Sequence, residues 1–188
     1  MASVDSTGVT AEALPAGFRR VAVPAGVVAA VAIAVAAAAL IAYDLSGRAV
    51  VAAVFSAVLV VLAAIDLEQR IIPNRIVVPA SVVVLLGDIA VEPHRWKEWT
   101  IAALASMLVA LAVSLATRGG VGMGDVKLAF LLGAGLGWDV VGAVVVAMLA
   151  TFVVAVGILL RRGIKARKET FPFGPFLVFG ALVALFFS

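Results

Sequence analysis

The chain contains no cysteine, and only one histidine and one tyrosine, in 188 residues. The lack of cysteine excludes a disulfide framework, a thiolate zinc site and a cysteine nucleophile. Charge is scarce too: Asp, Glu, Lys and Arg make up 13% of the residues, against 65% hydrophobic. Soluble domains run nearer about 45–50% apolar and about 25% charged. A soluble fold could not hide this much apolar surface, so the bilayer is the expected solvent and lipid an expected partner. The 14 basic and 11 acidic residues give a pI near 9.8. In a membrane chain that excess reports loop topology, and no nucleic-acid partner is expected.

What the chain does have is apolar runs. Seven spans are predicted, over residues 21–43, 49–65, 76–91, 99–116, 125–138, 139–160 and 171–188. The first is longer than the ~7–15-residue core of a signal peptide and long enough to cross a bilayer with some tilt. Residues 1–18 before it are mixed and small, and read as a mobile cytoplasmic tail. The fifth run is short, about fourteen residues. It fits a short crossing or a re-entrant segment packed inside protein. The expected fold is all-α: one polytopic transmembrane helix bundle over residues 19–188, with about six to seven spans.

Orientation follows from the basic residues. With the N-terminus inside and every span crossing, eleven of the fourteen Lys and Arg fall on the inner side and three, Arg48, Arg95 and Lys97, on the outer. This positive-inside bias favours a true crossing by the fifth run. It places the protein in the cytoplasmic membrane with Asp66 and Asp125 both at the cytoplasmic side. The basic block from Arg161 to Lys168 is expected to set topology and touch anionic lipid.

Asp66 and Asp125 are the residues of interest. Asp66 is expected to close the second span, ahead of a loop over 66–75 in which Pro73 ends or kinks the helix. Asp125 opens the fifth span behind the glycines of Gly119-Gly120-Val121-Gly122-Met123-Gly124. An acid at membrane depth costs roughly 2.5–3.5 kcal/mol on insertion scales. Two carboxylates from different helices can hydrolyse a peptide bond. One takes a proton from water, the other donates one to the carbonyl oxygen, and the pair shares a proton. Gly122 and Gly124 would let a substrate backbone approach and would permit positive φ.

Plainer roles stand beside these. Asp66 could pair with Arg70 at i, i+4, and Asp125 could be a helix N-cap. Lys127 could snorkel to the headgroups or bias the protonation of the acids; at i, i+2 it does not face Asp125. Glu68 and His94 read as solvated loop residues, and Asp44, Asp88 and Asp139 as outer boundary residues. Trp96 and Trp99 mark an outer interfacial loop. Phe171 to Phe176 reads as a helix start carrying Pro172 and Pro175, with Gly174 between them, and could line the site.

The stretch Gly122-Met123-Gly124-Asp125-Val126-Lys127-Leu128 resembles the GxGD motif of type IV prepilin peptidases. Asp66 with Pro73-Asn74 resembles that family's other active-site segment, and Pro172-Phe173-Gly174-Pro175-Phe176 is similar to a segment near its C-terminus. The resemblance implies an integral-membrane aspartyl endopeptidase without metal or cofactor, with Asp66 and Asp125 as the catalytic pair. It implies prepilin or pseudopilin substrates, whose short basic leader is cut on the cytoplasmic side. Many members also carry a cysteine-containing cytoplasmic domain linked to methylation. The cysteine-free chain, with no room for such a domain between its first spans, is expected to be a peptidase-only form without methylation. The alternatives are a small proton-coupled transporter, which would hold its acids near mid-bilayer, and a structural subunit of a secretion machine.

Overall fold

In the computed structural model the described residues are 23–117, 122–162 and 173–187. The expected tail, residues 1–18, lies outside them, as do Pro172 and most of the basic block. Seven α-helices appear among the described residues: α1 Ala25–Ala42, α2 Gly47–Gln69, α3 Asn74–Val91, α4 Trp96–Ala116, α5 Met123–Leu136, α6 Val140–Arg162 and α7 Gly174–Phe187. Two short 3₁₀ turns, Pro93–Arg95 and Gly137–Asp139, precede α4 and α6. Five stretches are long and apolar enough to cross a membrane, with α5, its turn and α6 taken as one 35-residue run; α7 is shorter. The protein is a multi-pass helical bundle.

Its two ends are chemically distinct. At one end the Arg48 Nη1 atom lies 3.4 Å from Asp88 Oδ1 and 3.9 Å from Glu92, while Arg95 bonds Glu92 and Glu98 at 2.9 and 2.6 Å. Both guanidinium groups lie over the Trp99 ring, at 4.5 and 4.8 Å. Asp88, read as an outer boundary residue, is 2% exposed and pairs with Arg48 in the last turn of α3, and Trp99 is fully buried while Trp96 is exposed. Packing gives Trp99 what the interface would otherwise supply: an apolar cage with cations over the ring face. His94 is exposed as expected.

The core helices are α2 and α5. Helix α2 packs against α1, α3 and α7, and α5 against α4 and α3. With no hydrophobic drive between helices in lipid, close packing depends on small residues. A Cβ at Gly133 would meet the Ala102 carbonyl oxygen at 2.5 Å and the Ser106 hydroxyl still closer, and one at Gly135 would meet Phe55 at 2.7 Å. The Ser106 hydroxyl, 2.8 Å from the Ala129 carbonyl oxygen, adds an α4–α5 hydrogen bond. Helix α7 meets α6 at Gly180, against the backbone of Ala143 and Ala147.

Helix α5 rises about 21 Å at 1.5 Å per residue. Its first turn lies against Ile72, and the Gly137 that follows it, at φ 59°, lies against Trp99. It therefore runs from one end of the bundle to the other and is not a re-entrant hairpin.

Candidate active site

The end opposite the arginines holds the two aspartates. Helix α2 continues past residue 65 to Gln69, so Asp66 sits in its last turn, not in a loop; it is 7% exposed. The helix stops at Arg70, which takes the left-handed conformation at φ 55° and donates its N–H to the Asp66 carbonyl at 2.9 Å. Extended Pro73 then precedes α3, which starts at Asn74 rather than at 76. The intervening turn is only Arg70 to Pro73, so the chain re-enters the bundle beside the carboxylate it has just buried.

Asp125 is the third residue of α5, and Gly122 is the N-cap. The expected N-cap role is thus corrected: Asp125 sits in the first helical turn, its backbone N–H bonds the Gly122 carbonyl at 3.0 Å, and its carboxylate lies beside Gly122. The glycines also act differently from expectation. Gly122 has φ −68° and Gly124 is helical, so neither uses the left-handed region. A Cβ at Gly124 would stand 2.9 Å from Ile72 Cβ. Its bare backbone thus serves contact between α5 and the 70–73 turn.

Gly174, the first residue of α7, lies directly against the Asp66 carboxylate. A Cβ on Gly174 would lie 2.5 Å from Asp66 Oδ2. Helix α7 thus points its N-terminal amides, which favour negative charge, at Asp66. Pro175 follows in the first turn, where its missing N–H leaves no bond unmade. Asp66 and Asp125 lie within Coulombic range of each other, on one cavity of about 260 Å³.

That cavity is lined by Asp66, Arg70, Ile71, Ile72, Gly122, Met123, Gly124 and Asp125. Four expected site residues are among these. Asn74 and Lys127 are not; they bond each other, Lys127 Nζ to Asn74 Oδ1, at 2.6 Å. Pro73 shapes the start of α3. Ile71, Ile72 and Met123 were not singled out from sequence, and Arg70 was considered only as an ion-pair partner of Asp66. Their signal was position alone, between or beside motif residues. Glu68 is not simply solvated, since its Oε1 accepts the Val23 N–H at 2.7 Å ahead of α1.

Two acids from separate helices, joined behind a glycine-flanked turn in a multi-pass bundle, define a GxGD-type membrane protein. The chain belongs to the type IV leader peptidase family, whose model matches residues 53–160. That match includes both aspartates and stops short of Gly174. A prepilin leader peptidase/N-methyltransferase of Burkholderia pseudomallei (strain 1026b) is 34% identical over 161 residues, 82% of this chain and 52% of the relative. One from Bacillus subtilis (strain 168) is 28% identical over 142 residues, 73% and 55% respectively. One from Aeromonas salmonicida (strain A449) is 31% identical over 134 residues, 68% and 46%. The chain spans about half the length of these relatives. No solved structure matches it.

Proposed function

We propose that this protein is a membrane aspartyl endopeptidase that removes the short basic leader from prepilin-like or pseudopilin proteins at the cytoplasmic face. The observation that carries the reading is the joining of Asp66 and Asp125 on one cavity, one from the end of α2 and one from the start of α5. In this reading the pair shares one proton. The ionised carboxyl takes a proton from water as the water oxygen bonds the scissile carbonyl carbon, and the protonated carboxyl gives its proton to the carbonyl oxygen. The resulting gem-diol then collapses. The C–N bond breaks as one gem-diol hydroxyl gives its proton to the ionised carboxyl and the leaving nitrogen takes a proton from the other, so the pair again shares one proton and one water has been consumed. The close contact of Gly174 with the Asp66 carboxylate holds Asp66 in place through these steps.

The location of the site supports the substrate class. A prepilin presents a basic leader in water and an apolar helix in the bilayer, and the aspartates lie at a bundle end, where that junction would arrive. The positive-inside bias supports the cytoplasmic side. The transporter alternative places its acids at mid-bilayer, which is not where α2 and α5 hold these two. The reading covers hydrolysis alone, and the methyltransferase part of the relatives' names is not carried over.

Co-expression with a prepilin-like protein from the same genome tests the proposal. A gel shift with a new N-terminus just after the basic leader is expected. Asp66→Asn and Asp125→Asn should each abolish the shift while still inserting into the membrane. Normal processing by both variants would overturn the proposal.

A further inference from the structure

We propose that Lys127 and Asn74 form a positioning clamp that sets the separation of the two aspartates; the inference rests on the peptidase reading above and deepens it. The two acids sit on segments that are remote in sequence. Asp66 is bound covalently to Asn74 through the end of α2 and the short 70–73 turn. Asp125 lies on α5, two residues before Lys127. Residues two apart on a helix point about 200° apart, at roughly 100° per residue. Lys127 therefore reaches away from Asp125 and does not line the cavity. It reaches Asn74, at 2.6 Å from Nζ to Oδ1.

The two aspartate segments meet at a second place, where Gly124 rests on Ile72. These contacts do different things. The glycine contact is apolar and non-directional; it lets the turn approach α5 but does not stop it sliding along the helix. The lysine contact is a charge-assisted bond to a fixed acceptor, shorter and more directional than a neutral one. Together they fix both the approach and the register of Ile71, Ile72 and Asp66 relative to Asp125. Register matters because a displacement of about 1 Å can cost about 10²-fold in rate. The bond is solvent-exposed, so its loss should weaken catalysis without unfolding the bundle.

The test is steady-state cleavage of one prepilin-like substrate by the full chain in proteoliposomes. Asn74→Ala and Lys127→Met should each lower kcat by about 10- to 100-fold, the range set by misplacement, with KM nearly unchanged. The double variant should be no slower than the slower single one. Asn74→Asp, which offers Lys127 a carboxylate, should recover most of the wild-type kcat, and the pH profiles of Asn74→Ala and Lys127→Met should have the same shape. A slow Lys127→Met beside a wild-type-like Asn74→Ala would overturn the clamp, since the lysine would then act through its charge alone. Multiplicative losses in the double variant would overturn it too. Failure of the wild type to cleave any prepilin-like substrate would instead overturn the peptidase reading, and the clamp with it.

Discussion

Asp66 is held from three directions: by its own helix, by the left-handed Arg70 that ends that helix, and by Gly174 of α7, which lies against its carboxylate. Gly174 is the most constrained of these. It has no alternative conformation to exploit; it is simply the only residue small enough, since a Cβ there would sit 2.5 Å from Asp66 Oδ2. Gly174→Ala should therefore displace the carboxylate or the start of α7. The expected result is a loss of about 10²-fold or more in cleavage rate, the scale of a 1 Å misplacement, with normal membrane insertion. Gly122→Ala is the control, because the added Cβ would meet Asp125 Oδ2 only at 3.8 Å, an ordinary contact. Cleavage rates of the two variants on one substrate check the contrast: equal losses would mean that the space at Gly174 is not what matters.

Among the elements, the opposite end of the bundle carries much of the polar cohesion. Arg48 at the start of α2 pairs with Asp88 near the end of α3, and Arg95 bonds Glu92 and Glu98 across the turn into α4. Removing one partner of a buried pair strands the other charge, which costs about 3–5 kcal/mol. Arg48 is partly exposed and keeps Glu92 at 3.9 Å, so Asp88→Ala should cost less, about 2–3 kcal/mol, nearer the range for a hydrogen bond to a charged group. A lowered midpoint of thermal unfolding in detergent would show it, with Asp88→Asn falling between the variant and wild type. Cleavage by folded Asp88→Ala should be unaffected, because the aspartate site lies at the other end of α2 and α5.

At the scale of the whole molecule, the seven helices run alternately between an end rich in ion pairs and the end that holds the aspartates. The absence of native cysteine makes this arrangement directly testable. Single cysteines placed at His94 and at Gln69, both exposed, should react differently with a membrane-impermeant maleimide added to intact cells. Labelling at His94 but not at Gln69 is expected if the aspartates face the cytoplasm. The reverse pattern would place the site on the outer side and remove the access to a cytoplasmic leader that the proposed function requires.

How much of this was legible in the chain depends on the kind of information each feature carries. The helical class, the seven apolar segments and the two key acids were plain, because the composition forces burial in lipid and an acid beside an apolar run stands out against its neighbours. The ends of the helices were not. Helix α2 runs through Asp66 to Gln69 because the left-handed Arg70, not the polarity of the loop, stops it. Asp125 is the third helical residue rather than the cap because Gly122 can take the cap position. The expected positive φ at Gly122 and Gly124 fails for the same reason: what a missing Cβ serves depends on what stands opposite, and Ile72 stands opposite Gly124.

The sequence by itself thus determined the solvent and the helical architecture and drew attention to the two acids, since these follow from composition, run length and local residue types. Only the tertiary structure decided that α5 traverses the bundle, that Gly174 lies against Asp66, that Lys127 reaches Asn74, and that Asp88 and Trp99 are buried. Each of those depends on pairings between segments far apart along the chain. Such pairings are set by which helix faces pack together, and no local pattern of residues encodes them.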